Sequence, residues 1–320
     1  MFKTGLTLAF LLFLAFAATA ETYPNRAITL VVPYAAGGTN DIIARAVALK
    51  MASSFGHPVV VENRSGAGGN LGAQIVARAP ADGYTMLIAS VGVLAINKWL
   101  YTNPGFDPQK DFAPITEAGT VPNVLLANAT VPANNVRELI AYAKSNPKSV
   151  TLASMGTGTT GHLCGEMFQK GAGIELVHVA YRGSAPALQD MLGGHVNVMF
   201  DNLPTALPMV KSGTLKAFAV TSAQRSESLP DVPTLAEAGV SGFEATSWFG
   251  FVAPAATPPA ILDILNREIV KALKDPEVHE RLQAQGVTTI ANTREEFSQI
   301  MTSESAKWKA VVESANIKVE

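Results

Sequence analysis

One cysteine, Cys164, stands in the whole chain, so no intramolecular disulfide can form and the fold has to rest on its apolar core. Basic residues are equally unhelpful to a nucleic-acid reading. Without Lys3 the 24 Lys and Arg become 23 against 26 Asp and Glu, a net charge near −3, and no basic block runs along any segment. Histidines 57, 162, 178, 195 and 279 are scattered, and His162 with Cys164 has no second pair at metal-ligand spacing, which excludes a sequence-legible metal site. There is no G-x-S-x-G elbow, and no paired carboxylates occupy a glycine-rich turn, so nothing supports catalysis. After the first twenty residues no apolar run is long enough to span a bilayer.

The N-terminus does carry a run. Lys3 precedes LTLAFLLFLAFAATA, Leu6 to Ala20, a positive region followed by a short apolar stretch and a small-residue end. This is the pattern of a secretory leader with cleavage expected after Ala20, which places the mature chain in the periplasm; an uncleaved anchor is the plain alternative. No cysteine lies near the cut, so no lipid anchor is expected there.

Downstream, short apolar strands alternate with glycine-rich turns and helically periodic stretches, as a parallel α/β sheet demands. Ile28–Tyr34, Val59–Asn63 and Tyr84–Ser90 are strands of a first lobe, with helical stretches after the first two turns. Val124–Asn128, Val150–Ser154, Glu175–Tyr181, Val196–Phe200 and Leu215–Thr221 are strands of a second lobe, with Asn134 or Asn135 capping one helix and Gly193 ending another. The stretches SLPDVPTLAEAG and FVAPAATPP are Pro-rich. Helices at Pro259–Leu273, Pro276–Gln285 and from Arg294 to about Ser314 lack such turns and are expected to return to the first lobe. The layout predicts residues 21–122 and 247–320 as lobe 1 and 123–246 as lobe 2, with two chain crossings and a cleft where strand C-termini face each other.

Two turns carry the chemistry. In Pro33–Asp41, Gly37 and Gly38 let a ligand approach the main chain, Thr39 or Asn40 can cap the helix, and free N–H groups at its start suit an anion. Asp41 repels an anion and is assigned to shaping the loop. In Ser154–His162, hydroxyls at Ser154, Thr157, Thr159 and Thr160 and several amides supply neutral donors. An ordinary βα turn is the alternative for the first. The second fits G-x-x-x-x-G without the phosphate-binding Lys, and also G-x-G-x-x-G at Gly156, Gly158 and Gly161. That spacing keeps a dinucleotide-dependent oxidoreductase open as an alternative, although the following strand ends on Tyr181 and Arg182 instead of an acid. Arg182 either pairs with a carboxylate or lies in solvent; Asp201 either accepts a ligand hydroxyl or amine or caps the next turn; His162 is structural or a ligand partner.

PYAAGGTND, VENRSGAGGNLG, ADGYTML, FDPQKDFAPI, ALQDMLGGHVNVMF, SGTLKAFAVTS and PDVPTLAEAG, in this order and spacing, resemble the extracytoplasmic receptors of the tripartite tricarboxylate transporter family, also called the Bug family. The resemblance covers almost the whole mature chain. It implies a two-lobe Venus-flytrap periplasmic binding protein without catalysis or cofactor, closing as a monomer on one small organic anion. It also implies that the turns Tyr34–Asp41 and Ser154–His162 hold a ligand carboxylate, and that one small and one large integral membrane subunit are the partners. Family ligands range from di- and tricarboxylates to amino acids and aromatic acids, so selectivity is expected at Ser90, Arg182 and Asp201, with Ala35 and Ala36 leaving room beside the first turn.

Overall fold

β1 (Ile28–Val32) is buried along nearly its whole length, as an apolar run of strand length must be when helices cover both faces of a parallel sheet. A computed structural model describes residues 23–315; the leader and its cut after Ala20 lie outside them. From β1 the chain turns into α1 (Thr39–Phe55), whose Ile43, Ala44, Val47, Ala48 and Met51 recur at helical spacing and are buried against the sheet. Gly56 ends α1 at φ 67°, its N–H donating to Ala52 O at 3.0 Å. β2 (Val59–Asn63), α2 (Asn70–Ala77) and β3 (Thr85–Ser90) follow, and β2 and β3 both pair parallel with β1. A wide π-type turn over Gly92–Ile96 leads to α3 (Asn97–Leu100) and then α4 (Pro108–Asp111).

β4 (Phe112–Ala127) begins a second series: α5 (Val136–Ser145), β5 (Thr151–Ser154), α6 (Thr160–Ala172), β6 (Val177–Ala180), α7 (Ser184–Leu192), β7 (Val198–Asn202), α8 (Leu203–Lys211) and β8 (Lys216–Val220). Asn135, not Asn134, caps α5, its Oδ1 accepting from Glu138 N–H at 2.9 Å. β5 lies parallel to both β6 and β7. The chain closes with β9 (Thr246–Pro254), α9 (Pro259–Leu273), α10 (Pro276–Ala284), β10 (Thr288–Thr289) and α11 (Arg294–Ala315).

The sheet order is β2-β1-β3-β9-β4-β7-β5-β6, with β8 and β10 also on β4. The sheet is therefore mixed, not wholly parallel as the alternating pattern predicts: parallel trios at the two ends flank an antiparallel centre, β3–β9–β4–β7. β4 runs 16 residues, and its partners change along it. Phe112–Pro122 pairs with β9, while Asn123–Ala127 pairs with β7 and Val124–Ala127 with β8. The expected strand Val124–Asn128 covers only the last quarter of this element, Val124–Ala127, and the Pro-rich stretch beginning at Phe251 starts inside β9.

Apolar clusters form on both faces of each part. Leu30, Ile43, Phe249, Phe251 and Leu265 pack on one face of the first, and Leu87, Val93, Trp248, Phe297 and Trp308 on the other. Phe168, Phe200 and Phe243, and separately Met199, Leu203 and Val124, build the second part. α9 packs on α1, and α11 on β4 and the π turn.

Gly250 in β9 admits α11. A Cβ there would stand 2.0 Å from Cζ of the fully buried Phe297. Gly250→Ala is expected to cost about 1–3 kcal/mol in urea unfolding, as overpacking does, with Phe297→Leu in the same chain restoring part of it. Parent-like stability for Gly250→Ala alone would show that α11 does not bear on β9 there.

Candidate ligand-binding site

The first turn is fixed from behind by a carboxylate. Asp41 Oδ2 accepts from Gly37 N–H at 3.0 Å and from Arg45 Nε at 2.9 Å, while Oδ1 accepts from Arg45 Nη2 at 2.9 Å and Asn63 Nδ2 at 3.0 Å. Burial pushes the Asp41 carboxyl up, but these donors together hold it below its ordinary value. Gly37, at φ 84°, makes the turn possible. The helix starts one residue earlier than Thr39 or Asn40 capping would require. Gly38 is the N-cap, with no side-chain cap, so Thr39 Oγ1 and Asn40 Oδ1 stay buried without a partner. Such atoms cost about 1–3 kcal/mol each unless something fills the space before them.

The second turn holds itself together. Thr159 caps α6, its Oγ1 accepting from His162 N–H at 3.4 Å and donating to Gly156 O at 2.6 Å. His162 Nδ1 accepts from Gly158 N–H at 3.3 Å, and the ring stacks on His178 with centroids 4.4 Å apart. Burial, then the neighbouring His178, pushes the His162 pKa down to about 3, so the ring is neutral and accepts at Nδ1. Ser154 Oγ lies 2.7 Å from His178 Nε2.

A third helix start joins them. Gly183, at φ 139°, heads α7 without a side-chain cap, and a Cβ on it would stand 3.1 Å from Ala35 N. Between these turns lies a narrow cavity, lined by Tyr34, Gly38, Thr39, Asn40 and Ser90 on one side and Met155, Thr159, Thr160, Gly183, Ser184 and Asn202 on the other. No lysine or arginine lines it. Backbone N–H groups at the uncapped starts of α1 and α7, with their helix dipoles, are the positive end of the field there.

Of the residues singled out from the sequence, Tyr34, Gly38, Thr39, Ser90, Thr159 and Thr160 line the cavity. Ala36 and Gly37 are exposed on the outer side of the first turn, and Asp41, Ser154, Gly156 and His162 are buried behind the two turns. Arg182 is exposed, and its carbonyl, not its guanidinium, takes part, accepting from Ala35 N–H at 3.0 Å. Asp201 is fully buried and reaches the cavity only through Ser184, whose Oγ donates to its Oδ1 at 2.7 Å. Strand β7 runs two residues past Phe200, and alternation then turns Asp201 inward and Asn202 to the cavity. Asn40, Met155, Gly183, Ser184 and Asn202 are the additions. Tyr181-Arg182-Gly183-Ser184 after a strand and before a helix carries the same strand–glycine–helix signal as the first two turns.

The lips of the cleft touch. Tyr101 OH donates to Thr157 O at 2.9 Å, and a Cβ at Gly68 would stand 2.1 Å from the same carbonyl oxygen. This contact also removes the dinucleotide reading. A Cβ at Gly156, Gly158 or Gly161 would meet Tyr181 O, Asn97 Oδ1 or Phe200 O respectively, so these glycines admit protein atoms where a pyrophosphate would need space. Among the described residues no helix is long and apolar enough to cross a membrane, and no group of three or more His, Cys, Asp or Glu could hold a metal ion.

Residues 43–317 match the model of the tripartite tricarboxylate transporter family receptor. The chain belongs to that family. The receptor is 38% identical over 303 residues to protein BugT of Bordetella pertussis, covering 94% of this chain and 93% of that one. An R. palustris protein solved with adipate superposes at TM-score 0.90 and 38% identity over 92% of this chain and 99% of its own. MatC from Rhodopseudomonas palustris with bound malate does so at 0.87 and 32% identity, over 91% and 100%. The receptor has the two-lobe periplasmic binding protein fold and is a solute-binding component of a transport system, not an enzyme.

Two outcomes follow from this geometry. Tyr101→Phe removes one bond across the lips, worth about 1 kcal/mol, and calorimetry should show solute affinity falling about fivefold while the melting temperature of the unliganded receptor holds. Asp201 gives a pH signature. Burial lifts its pKa from 3.8 to about 6 against the bonds from Ser184, Thr205 and Asn202, so the fold favours its neutral form. Its stabilising contribution is complete below pH 3.8 and lost as pH rises through about 6. The stability of the parent minus that of Asp201→Asn should therefore increase on acidification from pH 7 to pH 4, by on the order of 3 kcal/mol. A flat or falling difference in urea titrations would contradict the burial argument.

Proposed function

We propose that the receptor captures a small organic carboxylate in this cavity, outside the cytoplasmic membrane, and delivers it to the membrane components of a tripartite transporter. One observation carries the reading. A cavity without a lysine or arginine presents two helix starts that no side chain caps, beside two buried polar atoms, Thr39 Oγ1 and Asn40 Oδ1, that no protein group satisfies. A carboxylate fills all of these needs but the last: it accepts from N–H groups and from the Thr39 hydroxyl, and its charge lies at the favourable end of the helix dipoles, while Asn40 Oδ1, itself an acceptor, calls for a donor elsewhere on the solute. Relatives solved with adipate and with malate support the same ligand class.

The finer assignments belong to this proposal. Lobe 1 comprises residues 21–122 and 247–320 and lobe 2 residues 123–246, a division supported by the change of β4 partners at Pro122/Asn123. Tyr34, Gly38, Thr39, Asn40 and Ser90 hold the solute from lobe 1, and Thr159, Thr160, Ser184 and Asn202 from lobe 2. The leader is cleaved after Ala20, the mature receptor is a periplasmic monomer, and its membrane partners are one small and one large subunit.

Thermal shift against C4 to C9 mono-, di- and tricarboxylates, with sugars and divalent metals as controls, tests the reading. A bound acid at a hundred times its Kd should raise the melting temperature by about 5 °C through mass action. Shifts from sugars or metals with none from any acid would sink it.

A further inference from the structure

A hydroxyl has one proton to give and two lone pairs to receive with. On the lobe 2 wall of the cavity every hydroxyl has already given its proton. Thr159 donates to Gly156 O at 2.6 Å. Ser184 donates to Asp201 Oδ1 at 2.7 Å. Thr205 shares its proton between Asp201 Oδ2 at 2.7 Å and Asn202 O at 2.8 Å, and Asn202 N–H is a further donor to Asp201, so above its pKa of about 6 Asp201 is ionised and has no proton to return to Ser184. For Thr160 the direction comes from a chain. Ser247 Oγ donates to Asn202 Oδ1 at 3.0 Å and accepts from Asn123 Nδ2 at 3.2 Å, which leaves Thr160 as the donor in its own bond to Ser247.

What remains on Thr159, Thr160 and Ser184 is acceptor capacity only. The lobe 1 wall differs, because Thr39 Oγ1 has no partner and keeps its proton for the solute. A carboxylate is itself a pure acceptor. It matches the N–H groups and Thr39 but leaves the buried lobe 2 hydroxyl oxygens facing no donor on the solute. A hydroxyl or ammonium group on the solute supplies the missing donor. Asp201, a buried negative charge one atom behind Ser184, adds to the preference for a donor at that position.

Resting on the carboxylate reading, we propose that the solute bears a hydroxyl or ammonium group beside its carboxylate, and that Ser184, oriented by Asp201, selects for that donor. The test is calorimetry at pH 8 on matched sets: succinate, malate and aspartate; glutarate, 2-hydroxyglutarate and glutamate; adipate and its 2-hydroxy and 2-amino derivatives. In the best-binding set a hydroxy or amino acid should exceed the plain parent by about tenfold or more, the favoured one of the two identifying the group. Ser184→Ala should narrow that gap to within about threefold. Asp201→Asn, whose amide can donate to Ser184 Oγ and release the serine proton, should shift preference toward the plain acid; should it fail to fold by circular dichroism, Ser184→Ala decides. Plain acids that bind as tightly as their substituted partners in every set, or a gap unchanged by Ser184→Ala, overturn this inference and leave the carboxylate reading standing. No binding by any acid in the sets overturns both.

Discussion

The antiparallel ladder between β4 and β9 is the constraint on which the rest of the molecule depends. β4 gives its first eleven residues, Phe112–Pro122, to one neighbourhood and the remainder to another. β9 brings the chain back beside it, with Pro122 opposite Thr246 and Phe112 opposite Pro254. Two adjacent strands thus carry the backbone between the lobes, and the register shifts between Pro114 and Thr116 and between Glu117 and Gly119 relieve the ladder where it has to bend. Apart from Leu163 of α6, which packs in the first lobe's cluster, and Leu203, which lies against Gly286, the apolar clusters of the two lobes are separate, so this strand pair is the main link between them.

The site is built on the same economy of charge. Asp41 and Arg45 neutralise each other behind the first turn, His162 is held neutral behind the second, and Asp201 sits out of sight behind Ser184. No ionised side chain lines the cavity. An anion is then held by dipoles and fixed protons whose positions the backbone determines, which makes the direction of each hydrogen bond a recognition element.

Much of this was legible in the sequence where a single local signal sufficed. Ile28–Val32 followed by Gly37-Gly38 and a helical period locates β1, its turn and α1, and Val150–Ser154 with its glycines locates β5, its turn and α6. β9 was not legible, because Pro254, Pro258 and Pro259 make its apolar run resemble a linker; the strand is tolerated since the first of these prolines is its last residue. The early part of β4 was hidden likewise by Pro114, Gly119 and Pro122. In the site, Asp201 and Asn202 are neighbours at the end of β7 whose side chains face opposite sides, and no local signal told which of the two faces the cavity. Ser184 and Arg182 could not be told apart without knowing that Arg182 contributes only its carbonyl while its guanidinium is exposed. Which donors were spent could be known only from side-chain partners.

The contact at Gly68 has a kinetic meaning. The lips meet through main-chain surfaces, with Tyr101 to Thr157 and Ala35 to Arg182 as the hydrogen bonds across them. Two such bonds hold the mouth by only about 2 kcal/mol. The dwell time of a captured molecule is consequently governed by its own grip on both walls.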